Sequence, residues 1–418
     1  SPKLGLNAME TFKNLKLENW RQFASVDIEF DSEVCVLTGP NGCGKTTILN
    51  VLARHFGWNI NFISTPFLSK KKKKKMWSDL WKFYKKDEEE QNTATQVGSI
   101  EYSNGNTCTL VVPVQNNAQY SLNYQNQQGI IGLNIPSHRP VMSYFQIQNI
   151  PTNPKTNQQH HQEFQNLLFQ AYGADHVRNP GVILKQSLIS LALFGSGNEH
   201  VQPNPEYKLL FEHFQGILRI ILPKSVGFLR LEIRSPDIIL VTKTGDFPLD
   251  AMSGGVSAIF AMAWQIHMYG ADKKGCTVII DEPENHLHPS MQREFLILLR
   301  KAFPNYKFII STHSPFIVSS DPMAKVYGLI YNNENRIVSQ HISQADLSGS
   351  TNKILREILD VPTTMPIWVE DKIKEVLSKY DDLADSSDKA ESIFNELKEL
   401  GLNNSLSDFI ISGQEEAK

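Results

Sequence analysis

No run of about 18 or more apolar residues occurs in this sequence, which excludes a membrane-spanning helix, and no membrane partner is expected. Cysteine is scarce: Cys35, Cys43, Cys108 and Cys276 stand apart, with no C-x-x-C pair among them. That argues against a disulfide or zinc framework and for a reducing, cytoplasmic setting. No charge of one sign dominates. The formal net charge of −3 leaves no global footprint for DNA or RNA, so such a contact would need a local basic patch. No long heptad run is present, which excludes a coiled-coil arm. No charged-then-apolar leader precedes the first strand-like segment, and residues 1–8, ahead of Met9, read as an expression remnant outside the fold. What is present is an ordinary globular composition, 41% hydrophobic over 418 residues, enough for a sizeable core and roughly two or three average domains.

The chain is organised around Gly39-Pro40-Asn41-Gly42-Cys43-Gly44-Lys45-Thr46, which fits G-x-x-x-x-G-K-[ST] at every fixed position. A turn this tight needs glycine where a Cβ would block the backbone N–H groups of Asn41, Gly42, Cys43 and Gly44 from converging on phosphates. Lys45 then offers a point charge to the β/γ-phosphates, and the Thr46 hydroxyl can complete the shell of a Mg²⁺ ion. The context agrees. Val34, Cys35, Val36, Leu37 and Thr38 read as a buried strand entering the loop, and Thr47 opens a helix whose N-terminus faces the phosphates. A nucleoside triphosphate with Mg²⁺ is therefore the expected ligand.

Upstream, residues 9–30 alternate like a hairpin, with Trp20, Arg21 and Phe23 at its turn. These three can stack an adenine or touch a phosphate; equally, the aromatics can pack under the sheet. Downstream lies a basic insertion at about 68–92 holding six consecutive lysines, residues 70–75 from Lys70 to Lys75, then Trp77, Trp81, Phe83 and Tyr84, and an acidic run at 87–90. Lysines interleaved with aromatics suit nucleic acid. A solvated insertion is the other reading, since the acidic run offsets much of the charge.

Residues 98–133 carry an antiparallel pattern turned by Asn104-Gly105-Asn106, and end at Ile135-Pro136-Ser137-His138-Arg139-Pro140, with Gln146 and Gln148 following. A helical lobe at about 155–225 precedes two strands. Met252-Ser253-Gly254-Gly255 then starts an apolar helix, where backbone N–H groups face an anion. Thr277-Val278-Ile279-Ile280-Asp281-Glu282 is a buried strand ending in two carboxylates. Asp281 is placed to hold Mg²⁺ and Glu282 to deprotonate an attacking water. A further strand ends in Thr312-His313-Ser314, putting His313 where ligands gather in open α/β sheets. His286 and His288 lack a third ligand at zinc spacing, so loop packing or a subunit contact is preferred to a metal site.

These segments, in this order, resemble the ABC-type ATPase heads of the SMC, RecF and OLD-like branch, over roughly three quarters of the chain. The resemblance implies an α/β fold: a P-loop NTPase head of the ABC type over residues 9–330, with an antiparallel β layer, a helical lobe and a small, mostly helical C-terminal region at 331–418. It also implies that Ser253, Gly254 and Gly255 cap the γ-phosphate of ATP held by another subunit, giving an ATP-dependent homo-oligomer. His313 matches the switch histidine, and Gln146 or Gln148 the glutamine that senses Mg²⁺. Met252 and Val256 depart from the L-S-G-G-Q form of the signature. Asp-Glu-Pro-Glu-Asn-His-Leu-His-Pro together with Ser-Thr-His-Ser-Pro looks most like ATPases of anti-phage defence systems such as Septu, PARIS and OLD, which work with a fused or separate nuclease. After Val318 roughly a hundred residues remain, too few for both the helical tail and a Toprim or HNH nuclease, so a separate effector is expected. A DNA-repair head and, less well matched, a transporter ATPase subunit stand as alternatives.

Overall fold

A computed structural model describes residues 9–68, 75–78, 94–114, 118–139, 144–171, 180–343, 366–380 and 387–402, with Leu347 and Leu359. The lysines at 70–74 and the aromatic segment at 79–93 lie outside the described residues. Two compact units divide the chain, residues 1–343 and 344–418.

The first unit opens with β1 (Phe12–Trp20) and β2 (Phe23–Glu29), whose alternating burial sets the register Leu15 to Ile28 and Leu17 to Val26. Alternation of this kind fixes register because a one-residue slip would expose the whole apolar face. Trp20 and Phe23 are fully buried, and Trp20 Nε1 donates to the Tyr120 hydroxyl at 2.8 Å. The hairpin aromatics are thus core. Next come β3 (Val34–Thr38), buried at all five positions, and α1 (Lys45–Ala53). Two small ribbons follow, β4 (Phe62–Ile63), which pairs with β9 (Gln119–Tyr120), and β5 (Thr65–Leu68) with β6 (Lys75–Ser78). The β layer adds β7 (Thr95–Tyr102), β8 (Thr107–Val112) and β10 (Asn123–Gln125), all antiparallel.

The strand β11 (Gly132–Ile135) departs from expectation. It does not continue the antiparallel layer but pairs in parallel with β15 (Thr277–Asp281), Leu133 beside Val278. Its four residues are all buried, which suits a parallel strand covered on both faces, here at the end of the sheet, and not a one-sided layer. The helical lobe comprises α2 (Asn157–Ala171), α3 (Pro180–Ser196) and α4 (Pro205–Ile221). Asn204 caps α4, its side chain accepting from the backbone N–H groups of Glu206 and Tyr207, with Pro205 in the first turn. A three-stranded sheet, β12 (Phe228–Arg234), β13 (Asp237–Thr242) and β14 (Phe247–Pro248), leads into α5 (Gly254–Gly270). That helix is buried nearly all round, with Phe260 and Trp264 edge-on to Phe214 of α4.

After β15 the chain forms α6 (Pro289–Gln292), α7 (Phe295–Ala302), β16 (Lys307–Thr312) and α8 (Pro315–Val318). The last hairpin is β17 (Lys325–Tyr331) with β18 (Ile337–Ile342). Eleven strands make one sheet, ordered β10-β8-β7-β1-β2-β18-β17-β3-β16-β15-β11, with β17, β3, β16, β15 and β11 mutually parallel. Because β18 lies between β2 and β17, the head reaches Ser343 and not the expected boundary at 330.

The second unit holds α9 (Ile367–Ser378) and α10 (Ser387–Glu399) around Val369, Ile373, Val376, Leu397 and Leu402. Leu377, Tyr380 and Ile393 pack against that core, whereas Phe394 and Leu400 face outward. Among the described residues no helix is long and apolar enough to cross a membrane.

Candidate functional site

Parallel strands deliver their carboxyl ends to one edge of a sheet, and four of those ends build the site. At the end of β3 the loop at 39–46 carries Gly39, Gly42 and Gly44 at φ 146°, 80° and 96°. Gly44 is sterically obligatory, since a Cβ there would lie 2.5 Å from Phe23 Cζ and 2.4 Å from Gln22 Nε2. No side chain caps α1, so the N–H groups of its first turn face the hollow of the loop, where an anion is favoured. The Lys45 ammonium is buried over that hollow, donating to the carbonyls of Gly39 at 2.9 Å and Pro40 at 3.1 Å. Asn41, Gly42 and Thr46 are exposed and Thr47 half-buried. Cys43 is inside, and burial pushes its thiol pKa up.

At the end of β15, Asp281 Oδ2 accepts from Thr46 Oγ1 at 2.9 Å, and its other oxygen accepts from Ser311 on the adjacent strand β16. Burial holds the Asp281 carboxyl above its usual range, against the lowering effect of those two hydroxyls. Glu282 follows at φ 47°, an uncommon backbone for this residue, and its N–H donates to Ser311 O at 3.0 Å. The turn is clamped by Arg139 from the end of β11. Its guanidinium donates to Asp281 O at 3.1 Å, Glu282 O at 2.8 Å and Pro136 O at 3.2 Å. Asn285 Nδ2 reaches Glu282 Oε2 at 3.5 Å. His313, at the end of β16, places Nδ1 3.5 Å from Glu282 Oε1 and 3.3 Å from Glu284 Oε1, while its N–H donates to Glu284 Oε1 at 2.9 Å. Lys45, Thr46, Asp281, Glu282 and His313 are therefore gathered. Beside Thr46 and Asp281 opens a cavity of about 550 Å³, lined also by Asn50, Asn134, Ser137 and His138.

Gln146 is not brought in. Phe145 and Ile147 anchor its segment, the first by a carbonyl that accepts from Lys185 and the second by burial, so Gln146 and Gln148 alternate outward and are exposed. Neither bonds to Thr46 or Asp281. Ser137 and His138 instead occupy the β11 end that faces those residues. Arg21 also turns away, donating to Ile63 O at 3.2 Å with its guanidinium over Phe62, and Gln22 is what lies against the loop. Ser253 and Gly254 are exposed at the start of α5, with no side-chain cap, and Gly255 is packed on His286. His288 caps α6 through Nδ1, and the described residues hold no His/Cys/Asp/Glu group that could bind a metal ion in the manner of a zinc site. Arg139 was missed at the sequence level. Only its place in the loop four residues past the end of β11 could have signalled it.

Oxygen ligands from Thr46 and Asp281, a buried lysine and unpaired helix-start N–H groups together make a site for a metal-bound triphosphate. With the sheet order, they define a P-loop ATPase head of the ABC type. Two family profiles match it, "AAA domain, putative AbiEii toxin, Type IV TA system" over residues 186–319 and "AAA domain" over residues 14–190. The chain is similar to the Septu protein PtuA of Bacillus thuringiensis, 22% identical over 393 residues, 87% of each chain. Shorter matches join it to the "Retron Ec83 probable ATPase" of Escherichia coli, 31% identical over 25% of this chain and 18% of that one. Another is the OLD nuclease of Thermus scotoductus, 32% identical over 30% and 22%. Among solved structures, the Smc head domain with an extended coiled coil from Pyrococcus furiosus aligns at TM-score 0.43 and 14% identity, over 84% of this chain and all of that one. Septu, retron and OLD proteins are thus among the proteins that this chain is similar to.

Proposed function

We propose that the chain hydrolyses ATP at sites shared between copies, and that the resulting dimer or higher oligomer regulates a separate effector, a nuclease by family resemblance, in anti-phage defence. In each site the nucleotide held by residues 39–46, Asp281 and Glu282 of one copy is covered by Ser253, Gly254 and Gly255 of another. The observation that carries this reading is the convergence of Lys45, Thr46, Asp281 and Glu282 at the ends of adjacent parallel strands. The paired oxygens of Thr46 and Asp281 suit Mg²⁺, which when bound neutralises charge on the transferring phosphoryl group. Lys45 binds the β/γ-phosphates. Glu282, oriented by Arg139 and Asn285, takes the proton of the attacking water, giving ADP and phosphate. His313 is held between Glu282 and Glu284, where it can steady the developing charge. The exposed start of α5 gives the Ser253 turn an anion to meet only on another copy. Similarity to a Septu protein along 87% of both chains supports the defence role. Residues 70–75 remain the place for any nucleic-acid contact.

The test uses Glu282→Gln and Lys45→Ala. Glu282→Gln should bind ATP, hydrolyse it on the order of 10²–10⁴-fold more slowly, and accumulate an ATP-dependent assembly by light scattering. Hydrolysis at the wild-type rate would remove Glu282 as the base. Lys45→Ala should lose nucleotide affinity, and unchanged affinity would remove the loop. Tight, salt-sensitive DNA binding by the isolated chain would favour a repair head over a defence regulator.

A further inference from the structure

The hydrolysis scheme gives no task to Lys185, a cation of α3 that is only 2% exposed. Its ammonium donates to Asp250 Oδ2 at 2.5 Å and to Phe145 O at 2.8 Å, with Asp237 Oδ1 at 3.5 Å and the Tyr144 ring centroid 5.5 Å away. The Asp250 side chain is itself 5% exposed. Stability alone is a weak account of such a pair, because a buried ion pair can be replaced by apolar side chains at little or no loss. Breaking it by removing one partner is what is costly. A buried pair of fixed geometry does set position. Its acceptors come from three separate places: the segment that carries Gln146, the first residue of β13, and the turn Leu249–Ala251. That last turn, closed by Met252 N–H on Leu249 O at 3.3 Å, hands the chain directly to Ser253 and α5.

The start of α5 is thus held from two sides. Gly255 rests on the His286 backbone, and Asp250 is tethered to the helical lobe through Lys185. We propose that Lys185 is a positioning residue: it aims the Ser253–Gly254 turn at the nucleotide of a second copy and makes ATP-dependent assembly conditional on the seating of the helical lobe. The inference rests on the two-copy site proposed above.

The full chain carrying Glu282→Gln supplies the assay, with Lys185→Met, the double variant Lys185→Met with Asp250→Leu, and Ser253→Arg compared by three measurements. These are affinity for a fluorescent ATP analogue, thermal midpoint, and the protein concentration at half-assembly with ATP in analytical ultracentrifugation. Lys185→Met strands the Asp250 carboxylate and should lower the midpoint. The double variant removes both charges and should recover it, bind the analogue within about twofold of the parent, and still need about tenfold more protein to assemble. Assembly of the double variant at the parent's concentration overturns the inference. Loss of its nucleotide binding does so too, since the pair would then serve the fold. Ser253→Arg separates the underlying reading: if it assembles normally, the two-copy site itself is wrong.

Discussion

The carboxyl of Asp281 sits between two hydroxyl donors, yet burial outweighs them and raises its pKa above the ordinary carboxylate range. The folded chain therefore binds this proton more tightly than the unfolded chain does. The contribution favouring the fold is complete below the unfolded-chain pKa and is lost as pH rises through the elevated one. Asp281→Asn, which keeps the shape and discards the charge, should raise the Tm of the nucleotide-free protein by on the order of 2 °C at neutral pH. That advantage should vanish in acid, while Mg²⁺-dependent hydrolysis is abolished. Melting curves between pH 4 and pH 7.5 check it, and a midpoint lowered at neutral pH would contradict it. At this scale the motif residues were legible because each motif is contiguous: Lys45 lies in its own loop and Glu282 directly after its strand. Arg139 and Lys185 were not, since their partners lie far along the chain and leave no local pattern.

The two glycines that open α5 meet different surroundings. A Cβ on Gly254 would lie 3.7 Å from His286 Cβ, an ordinary contact, whereas on Gly255 it would fall 2.8 Å from the His286 carbonyl oxygen. Backbone cannot yield as a side-chain tip can, so Gly255→Ala should destabilise by about 1–3 kcal/mol. Gly254→Ala should leave thermal stability unchanged or raise it slightly, because alanine is the better helix former. Paired thermal melts decide this, and equal midpoints would mean that α5 shifts freely on the loop after β15. Elements with a local period were the readable ones. Alternation gave β1 and β2, and the apolar runs gave β3, β15 and β16. The strand β11 was misplaced because four buried residues carry no alternation, and its parallel partner β15 is distant in sequence. β18 went unassigned because its pattern is half-polar, with Ile337 and Ile342 buried and Gln340 and His341 exposed.

For the whole molecule, the two compact units have separate apolar clusters: one runs from Phe12 to Ile337, and the other from Val369 to Leu402. Every residue of the candidate nucleotide site belongs to the first unit, from Gly39 to His313. A ligand stabilises only the cooperative unit whose folded form binds it, by about 2.7 kcal/mol at a free concentration 100-fold above Kd. For the larger unit that corresponds to a rise of roughly 5 °C or less, because the entropy of unfolding grows with chain length. The smaller unit is about 75 residues long and its apolar cluster, among the described residues, is small, so its transition should come at lower temperature. Differential scanning calorimetry with Mg²⁺ and a non-hydrolysable ATP analogue should then show two transitions, with the larger moved upward and the smaller left in place. A single transition displaced as a whole would mean that residues 344–418 fold as part of the ATPase head. The nucleotide would then govern that region as well.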